Sequence, residues 1–200
     1  MKRTKEEAAE TRQAILEAAE RLFLEAGYEN VTLDQIAFSA DVTRGAVHWH
    51  FKNKLGLLAA LSDNAQSPFR NLADSLADET ASDPLEALSS AMGDFLGKLH
   101  ADPRQRGMIR VAIHHDLAKS DTSSQEGDFR KQLETNLSRI LAVQNRRCHL
   151  PRPWAVDTAA AALTAAIVGL VSEWALEKND FDLVPYGSAM LDALLNSFKE

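Results

Sequence analysis

"TLDQIAFSADVTRGAVHWHFKNK", Thr32 to Lys54, decides how the chain is read. Thr32, with Gln35 three residues on, has the form of a capping box, which opens a helix by satisfying its first free amides. Leu33, Ile36, Ala37 and Ala40 then recur at helical spacing and give a short helix that ends near Asp41. Thr43 is placed to cap the next helix. On that helix Ala46, Val47 and Phe51, with Val42 just before it, share an inward face, whereas Arg44, Gly45, His48 and Trp49 point away. Upstream, Ile15, Ala19, Leu22, Phe23 and Ala26 mark one face of a helix from about Glu6 to Ala26, closed by Gly27. Two short helices joined by a tight turn and supported by a first one are the layout of a helix-turn-helix unit, whose last helix enters the DNA major groove.

The residue types suit that task. Arg44 can fork two hydrogen bonds to guanine O6 and N7, worth about 1–3 kcal/mol of discrimination. Gly45 lets the backbone approach a phosphate closely, and Thr43, His48 and Trp49 can touch bases, thymine methyls or the backbone. His50, with Lys54 at the start of the following helix, can hold phosphates. Lys2 and Arg3 in the basic N-terminal stretch and Thr32 at the second helix complete the candidate DNA-binding set. Competing readings are a packed Trp49 and a merely solvated helix start at Lys52 and Lys54.

Charge is distributed to match. The chain is acidic, with net charge -7, yet Val42 to Lys54 holds three Lys or Arg and no acid. Residues 1–60 carry eight Lys or Arg against nine Asp or Glu, so the other 140 hold most of the negative charge. The stretch that meets phosphates is basic, and the remainder is free to be acidic.

Composition excludes other classes. With 45% hydrophobic and 26% charged residues the chain is neither disordered nor membrane-like. Its longest apolar run, 159–171, falls short of the roughly 18 residues that span a bilayer and reads as a buried helix. The N-terminal stretch is charged and lacks a signal peptide's apolar segment, and the single Cys148 has no partner for an internal disulfide, so a cytoplasmic protein without a membrane partner is expected. "HHD" at 114–116 suggests a metal, but adjacent helical residues point about 100° apart and no His pair has the i, i+4 spacing. With no Gly-rich phosphate loop and no nucleophile elbow, neither an enzyme nor a cofactor is expected.

Beyond residue 54 a fourth helix carries Leu57, Leu58 and Leu61, and Pro68 is expected to kink or break it at Ser67-Pro68. "SDP" at 82–84 and "ADP" at 101–103 each place Asp at an N-cap and Pro at the first helical position. Residues 119–128 read as a polar loop, Phe129 to Arg147 as a helix, "HLPRP" as a break, Ala155 to Lys178 as a long apolar helix, and Pro185 to Phe198 as the last helix. The expected fold is all-α with about nine helices: a helix-turn-helix domain over residues 1–54 and a helical domain over 55–200.

Residues 11–58, "TRQAILEAAERLFLEAGYENVTLDQIAFSADVTRGAVHWHFKNKLGLL", resemble the DNA-binding domain of TetR-type transcriptional repressors, in particular the multidrug-efflux subgroup of the AcrR and TtgR type. His48 departs from the Tyr usual there. Downstream the likeness lies in length, helix count and the "DPRxRGxI…HH" passage at 102–115.

The resemblance implies a repressor whose C-terminal domain dimerises and binds a small hydrophobic inducer, aromatic or cationic. By family position the ligand-binding candidates are Met92, Phe95, Leu96, Arg110, His114, Leu137, Leu141, Ile167, Leu170 and Trp174. Core packing is the competing reading for the apolar ones, while Arg110 and His114 sit one turn apart in an apolar stretch and need partners if buried. Glu173 is a weaker candidate, for offsetting a cationic drug. The long helix at 155–178 is apolar nearly all round and, with "YGSAMLDALLNSF", is expected to form half of a four-helix bundle across a two-fold axis, pairing two recognition helices on a palindromic operator. Ligand binding then shifts a two-state equilibrium through the helix that starts at Lys54, with Pro68 as hinge. The rival reading is a small-molecule or redox-sensing helical protein that uses Cys148, among Arg146, Arg147 and His149, and does not read DNA.

Overall fold

The structure is a computed structural model that describes residues 5–76, 83–118, 129–176 and 182–199, leaving the side chains of 62–67 and 114–118 undescribed. The described residues form nine α-helices: α1 Lys5–Ala26, α2 Leu33–Ser39, α3 Arg44–Phe51, α4 Lys54–Ser75, α5 Pro84–Ala101, α6 Pro103–Ala118, α7 Phe129–Arg147, α8 Val156–Ala175 and α9 Leu183–Asn196. With a short 3₁₀ turn entered at Leu76, the helical segments number ten where the sequence suggests about nine. By packing, the chain divides into two compact units, Met1–Asn64 with Gly107–Gly127, and Ala65–Arg106 with Asp128–Glu200.

The first unit is built around α1. Its buried residues Ile15, Leu16, Ala19 and Phe23 meet Ile36 and Ala37 of α2, Val47 and Phe51 of α3, and Leu57 of α4 in one core. The α6 residues Met108 and Val111 pack against the same core, and Gly107 lies so close to Leu24 that a Cβ there would stand 2.4 Å from Leu24 Cδ2. After α1, Gly27 takes φ +80°, a left-handed conformation that a side chain opposes, and turns the chain toward α2.

That turn is tied down by Lys54. Its ammonium donates to the carbonyls of Tyr28, Glu29 and Val31 at 2.7, 3.3 and 3.1 Å, and lies 4.3 Å from the centre of the Tyr28 ring. Burial, and secondarily Glu29, push the Tyr28 hydroxyl up to about 12. The phosphate contact expected of Lys54 competes with this duty: its donors serve three carbonyls that no other side chain reaches in the hydrogen bonds described for this turn. Lys54→Met is expected to cost about 1.5–3 kcal/mol, the range for hydrogen bonds to a charged group. Urea unfolding measures this, and a duplex-binding salt slope lowered by about one unit would instead restore the phosphate role.

In the second unit α4 does not break at Pro68. The helix runs from Lys54 to Ser75 with the proline inside it. An interior proline costs about 3 kcal/mol or more, and burial offsets it: Phe69, Ala73 and Leu76 are buried just beyond, with the Phe69 ring 5.3 Å from that of Phe95 on α5.

The expected caps form. Asp83 accepts from Leu85 N and Glu86 N, and Asp102 accepts from Arg104 N at 3.0 Å. The Arg104 side chain, followed by its backbone amide, holds the half-buried Asp102 carboxyl below the usual carboxylate range, so this small contribution to stability is present at neutral pH and is lost as pH falls through the lowered value.

The remaining helices pack as α5 on α9 and α7, and α8 on α7 and α9. On α7 the buried stripe runs Leu133, Asn136, Leu137, Ile140, Leu141 and Gln144, the period of one helix face. On α9, Gly187 admits Leu170 of α8 and Leu96 of α5, which would stand 2.7 and 3.1 Å from a Cβ there. Arg106 stacks 4.7 Å from the Trp174 ring centre and donates through Nε and Nη2 to the Trp174 carbonyl near the end of α8. With 20 residues, α8 also meets the length and hydropathy needed to cross a bilayer, which the shorter apolar run at 159–171 does not reveal; its Ala160, Leu163 and Ile167 face is buried in this unit instead.

Candidate nucleic-acid interface

The local chemistry of the α2–α3 turn sets the direction of α3. Thr32 accepts from Gln35 N at 3.2 Å while its own amide donates to Gln35 Oε1 at 2.8 Å, which completes the capping box and fixes the start of α2. The chain leaves α2 through Ala40, and Asp41 takes φ 53°, a left-handed position that Asp tolerates better than most residues. Val42 N then donates to Ala37 O at 2.9 Å. Thr43 caps α3 by accepting from Ala46 N at 3.2 Å. Once Val47 and Phe51 are buried, Arg44, Gly45, His48 and Trp49 must share the opposite face, and all four are exposed.

Three details of that face matter. The Arg44 guanidinium is held 3.1 Å from Asp34 of α2, with both side chains more than 60% exposed. A surface pair of this kind contributes about 0–1 kcal/mol, so it can orient Arg44 and still yield to a base. Trp49 is 73% exposed and meets His50 edge-on at 4.5 Å. Such a large apolar surface left in water on a short, well-capped helix calls for something to cover it.

Gly45 is the third. A Cβ built there meets only Thr43 Oγ1, at 3.8 Å, so nothing inside the protein requires a glycine in this helix. Gly45→Ala is accordingly expected to stabilise the free protein by about 0.5–1 kcal/mol while weakening duplex binding, read by urea unfolding beside a duplex titration. Loss of both stability and binding would show that the glycine serves the fold.

The structure thus brings together Thr43, Arg44, Gly45, His48, Trp49 and the half-buried His50 on α3, and sets Thr32 on α2 with its hydroxyl engaged in the capping box. Lys2 and Arg3 lie outside the described residues. Not singled out in the sequence are Asp34 as the partner of Arg44, Arg12 over the Phe51 ring at 5.1 Å, the Arg21 bond to Ser39, and Phe38, 90% exposed on α2. The exposure of Phe38 is legible in the sequence: it falls outside the Leu33, Ile36, Ala37, Ala40 stripe.

The ligand-binding candidates divide. Met92, Phe95, Leu96, Leu137, Leu141, Ile167 and Trp174 are buried in the second unit, and Leu170 is half-buried there. Arg110 is half-buried on the part of α6 that packs in the first unit, and the His114 side chain lies outside the described residues.

A helix-turn-helix whose exposed reading face carries an arginine, a glycine, a histidine and a tryptophan defines a DNA-binding regulator. Residues 15–61 match the model for bacterial regulatory proteins of the tetR family, and residues 83–200 match the C-terminal region of MAATS-type transcriptional repressors. The chain belongs to the TetR family of transcriptional regulators.

Among curated relatives it is 33% identical over 203 residues to the HTH-type transcriptional repressor BepR of Brucella suis biovar 1 (strain 1330), covering 100% of this chain and 97% of that one. To the HTH-type transcriptional regulator TtgR of Pseudomonas putida it is 37% identical over 188 residues, 92% of this chain and 89% of that one. Among solved structures, SmeT of Stenotrophomonas maltophilia in complex with triclosan superposes with a TM-score of 0.76 at 28% identity, over 94% of this chain and 90% of that chain.

Proposed function

We propose that this protein is a dimeric repressor of a multidrug efflux operon, released from a palindromic operator by a small hydrophobic ligand. The observation that carries DNA reading is the exposed face of α3, where Arg44, Gly45, His48 and Trp49 stand together with no acidic residue on the helix. Arg44 and His48 read base edges, Trp49 covers thymine methyls or sugar, Gly45 lets the backbone approach a phosphate, and Thr43, His50, Lys2 and Arg3 position the helix on the strand. The labour divides near residue 54, with reading before it and sensing and dimerisation after it. Release acts through α4, which runs unbroken from Lys54 to Ser75.

The efflux assignment rests on relatives. SmeT is the repressor of the S. maltophilia multidrug efflux pump SmeDEF, and its structure holds triclosan. Dimerisation has support from this chain as well: α9 exposes Tyr186 at 65% and Met190 at 42%, one turn apart, and α8 leaves Ala165 and Gly169 in water. Covering that apolar face with a second copy buries what a monomer leaves wet.

Footprinting on the promoter of a neighbouring transporter operon, with and without triclosan, tests the proposal. Protection of one symmetric site that is lost on adding the ligand is the expected result. Protection that ligand never relieves would remove the inducer, and no protected site would remove the operon.

A further inference from the structure

A carboxylate beside the side chain that reads DNA is an electrostatic liability, because the phosphates it approaches are negative. No acid lies on α3 itself, yet Asp34 of α2 brings one to it: Asp34 Oδ2 accepts from Arg44 Nη1 at 3.1 Å. Local structure does not demand the contact. Asp34 sits in the first turn of α2, where an acid favours the helix dipole with or without a partner on α3. The start of α2 is already fixed by the Thr32 and Gln35 capping box, and that of α3 by Thr43. Stability does not account for it either, since a pair whose side chains are this exposed contributes little.

What the pair does fix is the guanidinium. Arginine presents five N–H donors in a planar fork. Asp34 takes Nη1, and among the described residues no hydrogen bond takes the side edge formed by Nε and Nη2. That edge offers two parallel donors to guanine O6 and N7 while the carboxylate stays in place. Charge is settled by the same contact. Paired, Arg44 and Asp34 add no net charge to the face, so Arg44 adds little to the sequence-independent pull of the phosphates. Without Asp34 the long side chain regains its rotamers and is free to swing to a phosphate oxygen.

We propose that Asp34 is a positioning residue for sequence reading: it holds Arg44 in the orientation that meets a guanine edge and withholds it from phosphates. Guanine is favoured because the side chain is ordered before it binds. Non-specific duplex is disfavoured because the cation is already neutralised. The inference deepens the base-reading role given to Arg44 above and rests on it.

Titration of the full chain tests it, with the duplex the chain selects from a random pool and with a scrambled duplex, each at two salt concentrations. The variants are Asp34→Ala, Asp34→Asn, Arg44→Ala and the double change Asp34→Ala with Arg44→Ala, all at exposed positions that leave the core untouched. Asp34→Ala is expected to lower the ratio of selected to scrambled affinity by about twofold to tenfold per half-site, the worth of one side chain ordered in advance. It should also steepen the salt slope on scrambled duplex by about one unit per subunit, as Arg44 turns to a phosphate. Asp34→Asn, which keeps the shape and loses the charge, should steepen the slope likewise. With Arg44 already replaced by alanine, Asp34→Ala should leave the ratio unaltered, a coupling that a helix-dipole role alone does not produce. An unchanged or higher ratio in Asp34→Ala, or the same fall with and without Arg44, would overturn the proposal. No selected sequence, or a ratio that survives Arg44→Ala, refutes the reading role of Arg44 and this inference together, whereas loss in Arg44→Ala beside a silent Asp34→Ala refutes this inference alone.

Discussion

Arg44→Ala is expected to abolish sequence discrimination while leaving the fold and non-specific duplex binding nearly unchanged. The side chain leaves the first turn of α3 into solvent, and its only described partner within the protein is the exposed carboxylate of Asp34. Removing it therefore costs the free protein about 0–1 kcal/mol at most. In the proposed complex the same guanidinium meets a guanine edge, where a bidentate pair discriminates by about 1–3 kcal/mol. The proposed dimer reads two half-sites, so the loss on the operator is about twice that, from about thirtyfold to about twenty-thousandfold in affinity. A base contact carries this loss with little change in the salt dependence, whereas a phosphate contact would lower the salt slope by about one unit. Titrations of operator and scrambled duplex at two salt concentrations separate the two. Equal weakening on both duplexes would make Arg44 a phosphate contact and shift recognition to His48 and Trp49.

Phe23→Ala produces the largest expected loss of stability, about 3–5 kcal/mol. Phe23 has no exposed surface, its ring lies 5.1 Å from that of Tyr28, and it belongs to the core in which α1 meets α2 and α3. The cavity left behind is bounded by helices whose positions α3 depends on, so duplex binding falls with the fold. Urea unfolding followed by circular dichroism distinguishes this from Arg44→Ala, which loses binding without losing helicity. A cost under about 1 kcal/mol would mean that the α1 face collapses readily around the gap and that the scaffold does not hinge on this ring.

The recognition unit is the most legible part of the sequence because every signal in it is local. A capping box four residues long, an N-cap threonine and an apolar stripe each act within one or two helical turns, and α2 and α3 form where those signals place them. The tie that Lys54 makes is not legible in one dimension, because only the fold brings the carbonyls of Tyr28, Glu29 and Val31 to its ammonium.

Pro68 misleads differently. The rule that proline ends a helix weighs one lost hydrogen bond and one clash, and it knows nothing of the burial of Phe69 and Leu76 that keeps α4 intact. Seven of the apolar ligand-binding candidates share the buried interior of the second unit, but helical spacing alone does not tell a pocket wall from a core.

Selection of bound duplexes from a random pool by the natural chain, repeated with Arg44→Ala, tests most directly that α3 reads DNA. The account requires one enriched palindrome with guanine at corresponding positions of both halves, lost from the pool selected by the mutant. Enrichment of no sequence, or of the same palindrome by both proteins, would contradict it.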